Sequence, residues 1–105
     1  MRGEIYQLKA NPPARGHEQQ GARFAVVVQS DALLTSTVIA APTSTSARPA
    51  IHRPEIRIGK QRTRVLVEQI QAVDPEKRFG QRVGRLSRDE EENVVEALRH
   101  ALGLY

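Results

Sequence analysis

The chain has no cysteine, no tryptophan, one methionine and only four aromatic residues among 105. Without cysteine, neither a disulfide scaffold nor a thiolate metal site is available. That fits a reducing cytoplasm, the compartment expected, and is equally allowed elsewhere. No apolar run approaches the length needed to span a bilayer. Met1-Arg2-Gly3-Glu4-Ile5 has no long apolar stretch behind it, so neither a membrane association nor a signal peptide is expected. There is no phosphate-cradling glycine loop, no Ser/His/Asp order and no His-carboxylate cluster, so no metal and no cofactor are expected. At this length one domain, residues 1–105, is expected. Such a domain buries roughly two thirds of its unfolded surface, which makes dimerisation a common further source of stability.

Positive charge is what the chain does have. Its net charge is +4 and its pI about 10.1. Six basic residues between 48 and 64 (Arg48, Arg53, Arg57, Lys60, Arg62, Arg64) stand against one acid, Glu55. The C-terminal part instead collects Asp89, Glu90, Glu91, Glu92 and Glu96. A basic face on a chain whose acids lie elsewhere suits a polyanion such as nucleic acid, and equally a solvated surface.

Short apolar runs separated by turn residues predict a mostly β domain with a C-terminal helix, an α+β arrangement. Ile5 to Leu8 reads as a first strand. Asn11-Pro12-Pro13 cannot continue a central strand, because proline lacks the donor, so residues 9–22 read as a long loop. Phe24 to Gln29 reads as a strand buried on both faces, turned by Ser30-Asp31. Thr37 to Ala41 follows, stopped by Pro42, and Thr43 to Pro49 reads as a polar connector. A weak strand is expected over Ile51 to Ile58. Another begins at Arg64 and runs on toward an exit turn at Asp74-Pro75, and a short one is expected over Gln81 to Leu86. Ser87-Arg88-Asp89-Glu90 is a capping box. Val94, Val95, Leu98, Ala101 and Leu102 then form an apolar stripe at helical spacing, closed by Gly103.

Three pieces of this order carry a resemblance. The first runs from Arg15-Gly16-His17-Glu18-Gln19-Gln20-Gly21-Ala22-Arg23-Phe24 through Gln29-Ser30-Asp31 to Pro42-Thr43. The second is Val65-Leu66-Val67-Glu68-Gln69-Ile70 closing on Val73-Asp74. The third is Val83-Gly84-Arg85-Leu86-Ser87 with its acidic helix. In register over nearly the whole chain, they resemble the MazF/PemK family of toxin endoribonucleases. The resemblance implies a compact SH3-like β-barrel, a two-fold homodimer, single-stranded RNA as substrate and a small acidic antitoxin as partner. The chain departs from the family's pattern at Phe24, where proline is usual, and at Tyr6, where tryptophan is common. It matches poorly from Ile51 to Thr63, which leaves base preference open.

The resemblance implies catalysis by Arg23 and Thr43. Cleaving RNA without a metal requires activation of a ribose 2′-OH, stabilisation of a dianionic pentavalent phosphorus and protonation of the departing 5′-oxygen. Arg23 suits the second task, because a guanidinium offers two parallel donors to phosphate oxygens. Its high pKa disqualifies it as a lone general base. His17 titrates near neutrality and Glu18 is the next candidate, so the base stays open between them, with loop support as the alternative for both. Gln20, Ser44, Thr45, Arg48, Arg53, Arg57 and Arg62 are the RNA-binding candidates, while Glu68 and Gln69 read as structural hydrogen-bonders. With so few aromatic rings, base stacking would be sparse. Two other readings compete. One is a gyrase-poisoning toxin resembling CcdB, which shares the fold; the other is an RNA-binding barrel without catalysis.

Overall fold

The computed structural model describes residues 1–9 and 23–105, so all of the expected loop but Lys9 lies outside the described residues. Seven strands form one curled antiparallel sheet: β1 (Glu4–Leu8), β2 (Phe24–Val27), β3 (Val38–Ser44), β4 (Glu55–Ile58), β5 (Gln61–Val65), β6 (Gln71–Val73) and β7 (Phe79–Arg85). The order is β4-β5-β3-β2-β1-β7, with β6 also paired to β3. Helix α1 is a single turn at Pro75–Arg78, and α2 (Arg88–Leu102) is C-terminal.

The sheet is buried from both sides at its centre, as the unbroken apolar run of β2 requires. Val26 packs with Ile5, Ala41, Ile56, Val65, Val94 and Ala97 beneath α2. Ala25 and Val27 face the other way and pack with Val38, Ala40, Val73 and Phe79. Successive residues of a strand point to opposite faces, so a strand with no polar position must be covered twice. Each fully buried valine stabilises by about 1.5–3 kcal/mol over an exposed one.

Pro42 does not stop β3. The strand runs on to Ser44, pairing β6 over Val38 to Ala40 and β5 at Thr43 and Ser44. Pro42 lies between those two partners, where its carbonyl accepts from the Leu66 N–H at 2.9 Å and no donor is demanded of its nitrogen. Proline is tolerated at such interruptions of a ladder. The connector therefore begins two residues later than its composition suggests.

The β4–β5 pair is a hairpin closed by Gly59-Lys60, with Gly59 at φ +61°. A two-residue hairpin turn needs a left-handed residue there, which glycine adopts without steric cost. Leu66 to Gln69 breaks from the strand into a 3-10 turn at Val67–Gln69, so β6 is a separate strand. Asp74-Pro75 opens α1: the Asp74 carboxylate accepts from the Glu76 N–H at 3.0 Å, and Pro75 occupies the first helical position.

Helix α2 starts at the capping box and ends at Gly103, φ +69°. Its buried residues are Val94 and Ala97, with Val95 and Leu98 half-buried. Ala101 and Leu102 of the expected stripe are exposed, so the packed part of the stripe ends at Leu98.

Candidate active site and basic face

Arg23 directly precedes β2. Its carbonyl accepts from the Leu8 N–H at 2.8 Å, which continues the β1–β2 ladder and fixes the backbone where the guanidinium starts. The side chain is half-buried. Thr43 is 6% exposed, and its hydroxyl donates to the Phe24 carbonyl at 3.4 Å. That is long for an O–H···O bond, so a better acceptor could replace it at little cost. The β2–β3 register pairs Ala25 with Pro42; extended by two residues, it sets Phe24 beside Thr43 and Arg23 beside Ser44. The fold therefore brings Thr43 to the residue next to Arg23, with the two side chains starting from opposite faces at the ends of β2 and β3. Phe24, where the family usually has proline, packs against the core beneath α2 and supplies this carbonyl.

His17, Glu18 and Gln20 lie outside the described residues. Ser44 Oγ accepts from the Ser46 N–H at 3.3 Å and lies 3.3 Å from Ser46 Oγ, while Thr45 and Arg48 are exposed beside it.

The six cations of the middle segment separate into groups. The Arg53 guanidinium gives two hydrogen bonds to Glu68 Oε2, at 2.8 and 3.1 Å. Burial pushes the Glu68 carboxyl up, but hydrogen bonds from Arg53 and its own backbone, and the charges of Arg53 and His52, outweigh this and hold it below the usual range. His52 Nε2 stands 3.8 Å from Glu68 Oε1. Arg53 is thus tied into a local ion cluster. The Glu-Gln pair of the motif supplies its anion, as the structural reading of Glu68 expected.

On the hairpin, Ile56, Thr63 and Val65 are buried. Alternation turns Glu55, Arg57, Arg62 and Arg64 to the opposite face. Arg57 and Arg62 are both exposed and directly paired. Like charges opposite one another destabilise a sheet, so this face is electrostatically strained in isolation. Arg64 was not among the expected contacts. It pairs with Ser44 on one side and Glu55 on the other, and its Nη1 donates to the Arg53 carbonyl at 2.9 Å. The alternation of Arg62 and Arg64 around Thr63 was the signal that could have found it.

Gln29 is buried at the other end of β2. Its Oε1 accepts from the Ile39 N–H at 3.0 Å and its Nε2 donates to the Leu33 carbonyl at 2.9 Å. Asp31 accepts from the Arg2 N–H at 2.9 Å. The Gln-Ser-Asp turn is therefore a loop brace at this end, beside an open cavity of about 410 Å³ remote from Arg23. Among the described residues, no group of three His, Asp or Glu is arranged to hold a metal ion.

The PemK-like, MazF-like toxin profile matches residues 1–102. The chain belongs to this family of type II toxin–antitoxin toxins. It is 40% identical over 104 residues to a candidate toxin of Mycobacterium tuberculosis, covering 99% of this chain and 98% of that one. A mycobacterial endoribonuclease solved in complex with its cognate antitoxin superposes with a TM-score of 0.80 at 21% identity, over 100% of this chain and 96% of that one. MazF of Deinococcus radiodurans gives a TM-score of 0.76 at 25% identity, covering 97% and 94%. The curled antiparallel sheet with its C-terminal helix is thus the fold of the MazF-like toxins.

Proposed function

We propose that the protein is a metal-independent, sequence-specific endoribonuclease that cuts single-stranded RNA as the toxin of a cytoplasmic toxin–antitoxin pair. It would act as a one-domain homodimer. The observation carrying this reading is the β2–β3 register, which sets the Thr43 hydroxyl against the residue adjoining Arg23. In the proposed reaction the ribose 2′-oxygen attacks phosphorus as its proton passes to a base. The bond to the 5′-oxygen breaks, and that oxygen takes up a proton. The products are a 2′,3′-cyclic phosphate and a 5′-hydroxyl. Arg23 stabilises the charge on phosphorus through its planar fork, and Thr43 donates to a non-bridging oxygen.

Pure protein incubated with a mixed RNA pool should generate new 5′-hydroxyl ends, with excess EDTA present. A substrate carrying 2′-deoxyribose at the mapped cut site should bind and stay intact. Arg23→Ala should lower turnover about a hundredfold while the protein stays folded, the scale for losing one preorganised donor. Arg23→Lys should be nearly as poor, because a point charge does not reproduce the fork. Full activity in Arg23→Ala would move the site elsewhere.

One observation keeps a second reading in view. Leu102, Leu104 and Tyr105 are 54%, 62% and 96% exposed, an unpartnered apolar end, though it lacks the aromatic-rich tail expected of a gyrase-poisoning toxin. RNA left uncut in the same incubation would favour it.

A further inference from the structure

We infer that Arg64 binds a second RNA phosphate, next to the one at Arg23, and that Glu55 occupies it in the unbound protein. The inference rests on the endoribonuclease reading and adds a binding residue to it.

Directly paired residues of neighbouring strands share a face. Ser44 pairs with Arg64 and Arg64 with Glu55. Extending the β2–β3 register places Arg23 beside Ser44. Arg23, Ser44, Arg64 and Glu55 therefore form one row across the sheet. Strands lie about 4.8 Å apart, so the backbones at Arg23 and Arg64 are separated by roughly 10 Å, a gap that two long side chains can narrow. Ser44 lies between them with a hydroxyl.

Arg64 is held ready rather than neutralised. One terminal nitrogen is fixed on the Arg53 carbonyl at 2.9 Å, which sets the plane of the guanidinium. The other stands 3.8 Å from Glu55 Oε1, and the Glu55 side chain is 47% exposed. Exposed pairs at such distances contribute little, so a phosphate can displace the carboxylate at small cost. Arg53 differs, with both donors on a single Glu68 oxygen.

The row also continues in one direction. Arg62 precedes Arg64 by two residues on the same face of β5, about 6.8 Å away toward the hairpin turn. It confronts Arg57 across the hairpin. A polyanion leaving Arg64 along this face would relieve that repulsion, which gives the strained pair a use. The strand thus crosses from Arg23 over Ser44 to Arg64 and turns down the hairpin.

The test measures binding of a cut-site 2′-deoxy RNA oligonucleotide across a salt series, together with cleavage of the all-ribose version. Arg64→Gln should flatten the salt dependence by about 0.7 in logarithmic slope, the value for one phosphate contact on a single strand. It should raise KM more than it lowers kcat. Glu55→Gln leaves Arg64 in place and should tighten binding about two- to fivefold, by removing a weak competing carboxylate. Thermal melting checks that both variants fold; if Arg64→Gln does not, Glu55→Gln decides. Wild-type slope in a folded Arg64→Gln, or unchanged or weaker binding in Glu55→Gln, would overturn the inference while leaving RNA cleavage intact. Wild-type protein that cuts no RNA would instead remove the reading beneath it.

Discussion

The Tyr6 ring stacks on Phe79 with centroids 4.7 Å apart, and its hydroxyl donates to Glu4 Oε1 at 2.8 Å. One side chain therefore ties the cluster around Ala25, Val27 and Phe79 to the Glu4 carboxylate of the same strand. That hydrogen bond is the main reason the Glu4 carboxyl sits below its usual range. Burial opposes it, and the N-terminal ammonium, Arg82 and Arg85 assist. A carboxylate whose folded pKa is depressed contributes stability above its unfolded pKa and loses it as pH falls through the folded one. Tyr6→Phe keeps the stack and removes the donor. It should cost about 1.5–3 kcal/mol at pH 7, the scale of a hydrogen bond to a charged group. That deficit should shrink as pH drops below the ordinary glutamate range, in urea titrations at several pH values. A deficit unchanged at low pH would mean that the hydroxyl does not act through ionised Glu4.

Glu90 joins two elements through one carboxylate. Oε1 accepts from the Ser87 N–H at 2.8 Å and closes the capping box; Oε2 accepts from the Arg57 N–H of β4 at 2.8 Å. The start of α2 is thereby fastened to the hairpin that carries the basic face. Glu90→Ala should cost about 1–2 kcal/mol, more than Ser87→Ala at about 1, because it also strands a donor on β4. Amide exchange at Arg57 should quicken in Glu90→Ala and not in Ser87→Ala. Equal losses would show that the strand contact contributes nothing. At this scale the sequence was legible where patterns are local. The Ser87-to-Glu90 spacing and Gly103 mark both ends of α2, and the run from Phe24 to Gln29 announces a strand buried on both faces, of which Phe24–Val27 pairs as β2. Pro42 misled because whether a missing N–H matters depends on which neighbour faces it. Here a change of partner from β6 to β5 leaves no acceptor waiting.

At the scale of the molecule, a basic face reaching from Arg23 across Arg64 to Arg57 and Arg62 would draw an acidic chain as readily as RNA. A mycobacterial endoribonuclease of this fold is known with its cognate antitoxin, and D. radiodurans MazF with MazE. An acidic antitoxin segment laid along the face should inhibit cleavage competitively with RNA. Its grip should weaken as salt rises, since attraction decays over about 8 Å at physiological ionic strength. Noncompetitive, salt-independent inhibition in steady-state assays would place the antitoxin on another surface. The sequence by itself determined the family, through motifs in register, and with it the mainly β architecture, the helix with its caps and the excess of positive charge. These follow from local spacing and composition, which act before the chain folds. Only the tertiary structure decided which cations are engaged. Arg53 and Arg64 lie eleven positions apart in one basic run, yet folding gives Arg53 to Glu68 and sets Arg64 beside Ser44. Strand pairing joins residues remote in sequence, and an ion pair depends on distance in space, which no count of charges along a chain contains.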